Sequence, residues 1–347
     1  METGGSVRMK GEKHRRVLTA LAAVFCFSFA MCSIQAEDCS AQEESAVTEE
    51  YTLNDFYFDT VVSIRFDAGE NGDDLTDGCR SICDEIEHIF SRTSEESELY
   101  AVNHRDSDRV EVSAPLAEDV QTGLDYYRIS DGRFDITIAP VAELWDFHGD
   151  DPVLPQEEEI QNALRKVDGS SVHVEKEGDA WYLTFDHPDT MLDLGGLAKG
   201  YAADRLTEYL KSQGVTSGLV NLGGNVAAIG AKADGSPWKV GIQKPFDTGI
   251  IDKKEVTGQS VVTSGVYERC FEKDGTLYHH ILDPATGYPV SNGLWGVTII
   301  SDSSLQGDAL STVCLLIGQE EAMDLIRQTD GVQAVFVDDR LQVTECE

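Results

Sequence analysis

A handful of short segments combine residue types and spacings that could do chemistry. Asp308 and Thr312 lie four apart in DALST. On a helix that spacing puts the carboxylate and the hydroxyl on one face, where both can meet a hard cation such as Mg2+ or Ca2+. The plainer account stays open: Asp308 caps the helix and Thr312 bonds back to a carbonyl. In DLGGLAKGYAAD, residues 193–204, two glycines precede a helical pattern. Backbone N–H groups at such a helix start can hold a phosphate, and Lys199 in the first turn adds a point charge. A strand-to-helix turn packed closely through its glycines would read the same. YHHILDPATGYPV, residues 278–290, offers a histidine that could take a proton from a hydroxyl or position a phosphate. Adjacent His279 and His280 point to opposite faces of a strand, so at most one belongs to a site. NLGGN, residues 221–225, is either a tight turn or a close backbone approach to a ligand. RFDITIAPVAEL, residues 133–144, reads as a strand running into a helix or turn, with Phe134 stacking on a planar ring or filling core. Neither GxGxxG nor a Walker A loop is present, so NAD and P-loop chemistry are not indicated.

The frame that must hold these segments mixes strands and helices without regular alternation, which predicts an α+β fold rather than a doubly wound sheet. Apolar residues at 75, 79, 82, 83, 86, 89 and 90 predict a helix. Helices are also predicted over 116–130, 155–167, 197–210, 308–317 and 320–328. Alternation predicts one strand over 56–66, a hairpin turning at 176–179, strands over 218–229, 238–242, 260–263, 277–282 and 294–300, and a closing hairpin over 332–343. No linker interrupts the chain after Tyr51, so residues 51–347 are taken as one domain.

Charge narrows the partners. Among 347 residues, 63 Asp and Glu outnumber 27 Lys and Arg, a net charge of −36. That excludes a nucleic-acid binder and adhesion to an anionic membrane by charge. An anionic substrate would need a metal, a helix N-terminus or one placed Lys to draw it in. Residues 1–36 stand apart. Arg8, Lys10, Lys13, Arg15 and Arg16 precede the apolar run VLTALAAVFCFSFAMCSIQA, the pattern of an export signal or membrane anchor. Cys32 is a possible lipid-attachment point, and residues 37–50 form an acidic tether. The cysteines at 26, 32, 39, 79, 83, 270, 314 and 346 lack zinc-site spacing and do not indicate a disulfide framework.

FDITIAPVAELWDF, DLGGLAKGYAAD, NLGGN, TSGVYERCF, HHILDPATGYPV and DALST occur in this order. Together they strongly resemble the ApbE-like flavin transferases, the FAD:protein FMN transferase family. The likeness begins near Phe58, where Phe58-Asp59-Thr60 replaces the family's usual Met-Gly-Thr, and runs almost to the C-terminus. The resemblance implies the family's α+β fold, FAD as substrate and Mg2+ as cofactor. It implies transfer of the FMN half of FAD, through a phosphoester bond, to a Thr or Ser hydroxyl of an acceptor flavoprotein, with AMP leaving. The acceptor would be a redox-complex subunit or an extracellular flavoprotein, and the enzyme would be extracytoplasmic and anchored to the membrane by its N-terminus. By position, the resemblance makes Asp308, Thr312 and the Gly196 carbonyl the metal ligands. It places Phe58, Thr93, Arg133, Phe134, Asp135, Asp193, Lys199, His280 and Ile281 around FAD, and assigns His280 and Asp308 to catalysis. An FAD pyrophosphatase and a flavin-storing lipoprotein are the competing readings.

Overall fold

The computed structural model describes residues 48–145, 147 and 154–347. The expectations for the export segment, for Cys32 and for tether residues 37–47 lie outside the described residues. Residues 46–347 form one compact unit. The chain runs β1 (Glu49–Tyr57), β2 (Thr60–Ala68), α1 (Gly72–Phe90), α2 (Glu98–Asn103), β3 (Arg109–Val112) and α3 (Ala114–Ile129). It continues with α4 (Ala139–Trp145), α5 (Glu157–Leu164), β4 (Val172–Glu177), β5 (Ala180–Phe185) and α6 (Ala198–Ser212). Next come β6 (Gly218–Leu222), β7 (Asn225–Ile229), β8 (Trp238–Gln243), β9 (Ile250–Val256) and β10 (Ser260–Gly265). The last elements are β11 (Cys270–Lys273), β12 (Thr276–His279), β13 (Leu294–Ser301), α7 (Ser304–Ile317), α8 (Gln319–Arg327), β14 (Gln333–Asp338) and β15 (Val343–Cys346). The architecture is α+β, as expected.

An antiparallel eight-stranded sheet in the order β1-β2-β6-β7-β10-β13-β14-β15 is the scaffold. Its centre is covered on both faces, and strict alternation decides which residue goes where. Ala227, Ile229 and Ile299 join the large core under the helices, whereas Val226, Ala228 and Ile300 join Trp238, Val240 and Ile242 of β8. Two-sided burial explains why β7 and β13 read as nearly continuous apolar runs. Helices α6 and α7 pack on each other and on the sheet, with α1 beside α6. A separate cluster built on Trp145 ties α4 and α5 to the loop after β12, and the Trp145 indole N–H donates to the Gly287 carbonyl at 2.8 Å.

Several elements differ from the sequence-based expectation. The strand expected over 56–66 is a hairpin, β1–β2, that turns at Phe58-Asp59 with both φ positive, 54° and 55°. That is type I′ geometry, built here without the usual Asn or Gly. The Phe58 N–H donates to Glu87 of α1 at 2.7 Å, which helps to offset the strain. β1 starts at Glu49, so the end of the expected tether pairs in the sheet. No strand forms at 133–138, because Asp135 bends the segment by accepting hydrogen bonds from the Thr137 N–H and hydroxyl and from the Gly169 N–H. α7 begins at Ser304, capped by Ser303, so Asp308 is one turn inside the helix rather than at its cap.

Candidate active site

A cavity of about 1230 Å3 opens where the β1–β2 turn, the α1–α2 loop, the 133–138 loop, the N-terminus of α6, the β6–β7 turn, residues 267–269, residues 280–284 and α7 meet. It is larger than the ~300–1,000 Å3 of common small-ligand sites. Phe58, Thr93, Arg133, Phe134, Asp135, Asp193, Gly196, Lys199, His280, Ile281, Asp308 and Thr312 all line it. The segments that stood far apart in the chain therefore converge.

The convergence depends on how α6 meets α7. A Cβ on Gly200 would lie 2.6 Å from the Ser304 carbonyl oxygen and 2.8 Å from Asp308 Cβ, so only glycine lets the helices touch here. Each helix then caps the other. Asp204 of α6 accepts hydrogen bonds from the Ser304 and Leu305 N–H groups and the Ser303 hydroxyl at the start of α7. Asp308 of α7 accepts from the Gly200 N–H, at 2.8 Å, in the first turn of α6. Leu197 gives α6 no side-chain cap; instead the Leu197 and Ala198 N–H groups both donate to the Leu194 carbonyl at 2.9 Å, and Gly200 is held by Asp308.

Asp308 is buried, and burial pushes its carboxyl up; the Lys199 ammonium and the Gly200 N–H oppose the shift. The Thr312 hydroxyl is 3.1 Å from the Ser264 hydroxyl. A Cβ on Gly196 would sit 3.8 Å from Thr312 Oγ1 and 3.2 Å from the Phe134 ring, which puts this glycine between the two. Asp308, Thr312 and the Gly196 backbone make an all-oxygen donor set. Among the described residues no group of three or more His, Cys, Asp and Glu is arranged for a metal. One carboxylate with a hydroxyl and a backbone oxygen suits Mg2+, which keeps waters and binds substrate phosphates at its other positions. The residues present fit the implied ion.

The two histidines divide as alternation requires. His279 is buried, with its Nε2 3.0 Å from the Val290 carbonyl, and burial pushes it down to about 4. His280 faces the cavity. Burial, then Arg269 and Lys199, push its imidazole down to about 3, so the ring is neutral across the physiological range.

Other lining side chains also make contacts within the protein. Asp193 accepts from the Gly195 N–H at 2.8 Å and pairs with Arg92, which also pairs with Glu143. It shapes the glycine turn and orients Arg92. The Asp135 oxygens are taken by the 133–138 loop and Gly169, so it holds the loop rather than offering a free acceptor. Phe134 is buried and meets Tyr126 edge-on beneath Gly196. NLGGN is the β6–β7 turn, with Gly223 and Gly224 at φ 62° and 98°. The five cysteines among the described residues are free.

Glu268 was missed. It opens into the cavity yet has protein on most sides. Burial pushes it up to about 7, with Asp308 adding to the shift and Lys199 opposing it. Its one sequence signal was its place in TSGVYERCF, a motif to which no role had been attached.

Solved structures with this arrangement include the ApbE protein of Thermotoga maritima, with a TM-score of 0.78 and 31% identity over 86% of this chain and 97% of that one. The flavin transferase ApbE of Vibrio cholerae matches with a TM-score of 0.73 and 26% identity, over 86% and 97%. The fold is thus that of the flavin-transferase class. The ApbE family model matches residues 58–336, and the chain belongs to that family. A FAD:protein FMN transferase of Klebsiella pneumoniae is 38% identical over 72% of this chain and 78% of its own length. One from Treponema pallidum is 34% identical over 73% and 76%.

Proposed function

We propose that this chain is an FAD:protein FMN transferase that moves the FMN half of FAD onto a Thr or Ser hydroxyl of an exported acceptor flavoprotein, with Mg2+ present and AMP released. The observation that carries the reading is the meeting of Asp308, Lys199 and the neutral His280 on one cavity wall. Its relatives' names point the same way.

Lys199, in the first turn of α6 on the cavity wall, supplies positive charge for the pyrophosphate oxygens. Mg2+ held by Asp308, Thr312 and Gly196 would supply charge neutralisation for the departing phosphate. His280 accepts the proton of the acceptor hydroxyl once the anionic phosphates of FAD lie beside it and raise its basicity. The hydroxyl oxygen forms its bond to the FMN phosphorus as the bond from that phosphorus to the bridging oxygen breaks, and that oxygen leaves on AMP. In-line transfer of this kind needs positioning and electrostatic support more than covalent help. The N-terminal pattern supports an enzyme exported and anchored at the membrane, where its acceptor would also lie.

Incubation with FAD, Mg2+ and exported flavoprotein candidates tests the reading. AMP together with a flavin-fluorescent protein band is the expected result. AMP without that band would make the chain a pyrophosphatase, and bound FAD without AMP would make it a carrier.

A further inference from the structure

Asp119 takes no part in the mechanism above. It sits in the second turn of α3, on the helix face that also buries Leu116, Val120 and Gly123. It is wholly inaccessible, and neither carboxylate oxygen has a hydrogen-bond partner. An unpartnered carboxylate in such a place is expensive, and a neutral Leu would pack there without that cost. Its surroundings are those of the cation site. α3 packs against α7, which carries Asp308 and Thr312. One turn on, a Cβ on Gly123 would sit 3.3 Å from Leu197, the residue after Gly196. Asp119 is set back from the cavity wall that Asp308 lines. The Asp308 charge reaches it and, after burial, is the other cause that pushes its carboxyl up.

We propose that Asp119 is a positioning residue for the divalent-cation site, a buried carboxyl group beyond Asp308 that shares the charge of a bound ion with Asp308 and so tightens the hold of Asp308, Thr312 and Gly196 on it. The proposal rests on the assignment of the cation to Asp308. A divalent ion supplies the countercharge that both buried carboxylates lack. The hydrophobic setting of α3 keeps that field unscreened. Groups just beyond the ligands commonly tune metal sites in this way.

The test is a titration of Mn2+ and Mg2+ into the flavin-free full chain, read by Mn2+ electron paramagnetic resonance and by melting temperature. Asp119→Asn and Asp119→Leu are each compared with the wild type and with Asp308→Ala. Both Asp119 variants are expected to weaken cation binding roughly 10- to 100-fold. Without cation they should melt at or above the wild-type temperature, since a buried acid with no hydrogen-bond partner is gone. Unchanged cation affinity alongside that gain in stability would overturn the proposal and leave Asp119 an inert buried acid. Should Asp119→Leu fail to fold, Asp119→Asn decides alone. A wild type that binds no cation, or an Asp308→Ala variant that binds it as well, would instead bring down the cation assignment itself, and this inference with it.

Discussion

Asp308 does two jobs that a substitution can separate. It accepts the Gly200 N–H and is the proposed cation ligand, so truncation to Ala would remove a helix cap as well as that ligand. Losing such a cap costs about 1 kcal/mol, which argues against expecting Asp308→Ala to leave stability untouched. Asp308→Asn keeps an acceptor for Gly200. It is expected to hold its melting temperature within a few degrees while turnover falls by roughly 100-fold or more, as AMP release and thermal denaturation would show. Glu268 makes a pH prediction. Its carboxyl rises from the usual 4.5 to about 7 on folding. Between those values the folded chain keeps a proton that the unfolded chain releases, so stability falls as pH rises through this window. Glu268→Gln should melt above the wild type at pH 8, and the gap should close near pH 4. A gap that does not change with pH would show that Glu268 does not titrate as placed. In the free protein His280 is neutral above about pH 3, so it should contribute no inflection in kcat/KM for FAD near neutrality.

At the scale of elements, the site is a consequence of the α6–α7 contact. Gly200→Ala replaces a poor helix former with the best one, yet its Cβ would strike the start of α7. Overpacking of this kind costs ~1–3 kcal/mol. The variant should melt below the wild type and bind cation more weakly, because Asp308 moves with α7. Higher stability with unchanged cation binding would contradict the reciprocal capping. The helices themselves were legible, since the apolar stripe of 75–90 and the pattern of 197–210 are long enough to be distinctive. Short elements were not: α2 (ELYAVN), β3 (RVEV) and β11 (CFEK) carry too few apolar positions to set a period. The Phe58-Asp59 turn has none of the residues that announce a hairpin. The 133–138 segment looks like a strand until Asp135 bends it, and its partner Gly169 is remote in sequence. In the candidate site, motif order was enough to gather the residues around one cavity. The burial that shifts Glu268, and the occupation of Asp135 and Asp193, come from contacts between distant segments that no local pattern carries.

At the scale of the whole molecule, a net charge of −36 would repel FAD, while Lys199 and the proposed cation would attract it over a few ångströms. These ranges respond differently to salt. The screening length falls from about 30 Å at 0.01 M to about 8 Å at 0.15 M. The FAD association rate should therefore rise over that range, since long-range repulsion is screened first. A fall, measured by stopped-flow flavin fluorescence, would mean that a local positive field dominates the approach. The same acidity favours solubility. The central claim is the transfer itself. Its most direct measurement is peptide mass mapping of an exported acceptor after incubation with FAD, Mg2+ and either the wild-type chain or His280→Ala. The mass of one FMN on a single Thr or Ser is expected with the wild type, and its near absence with the variant. Acceptor that stays unmodified while AMP accumulates with the wild type would contradict the claim.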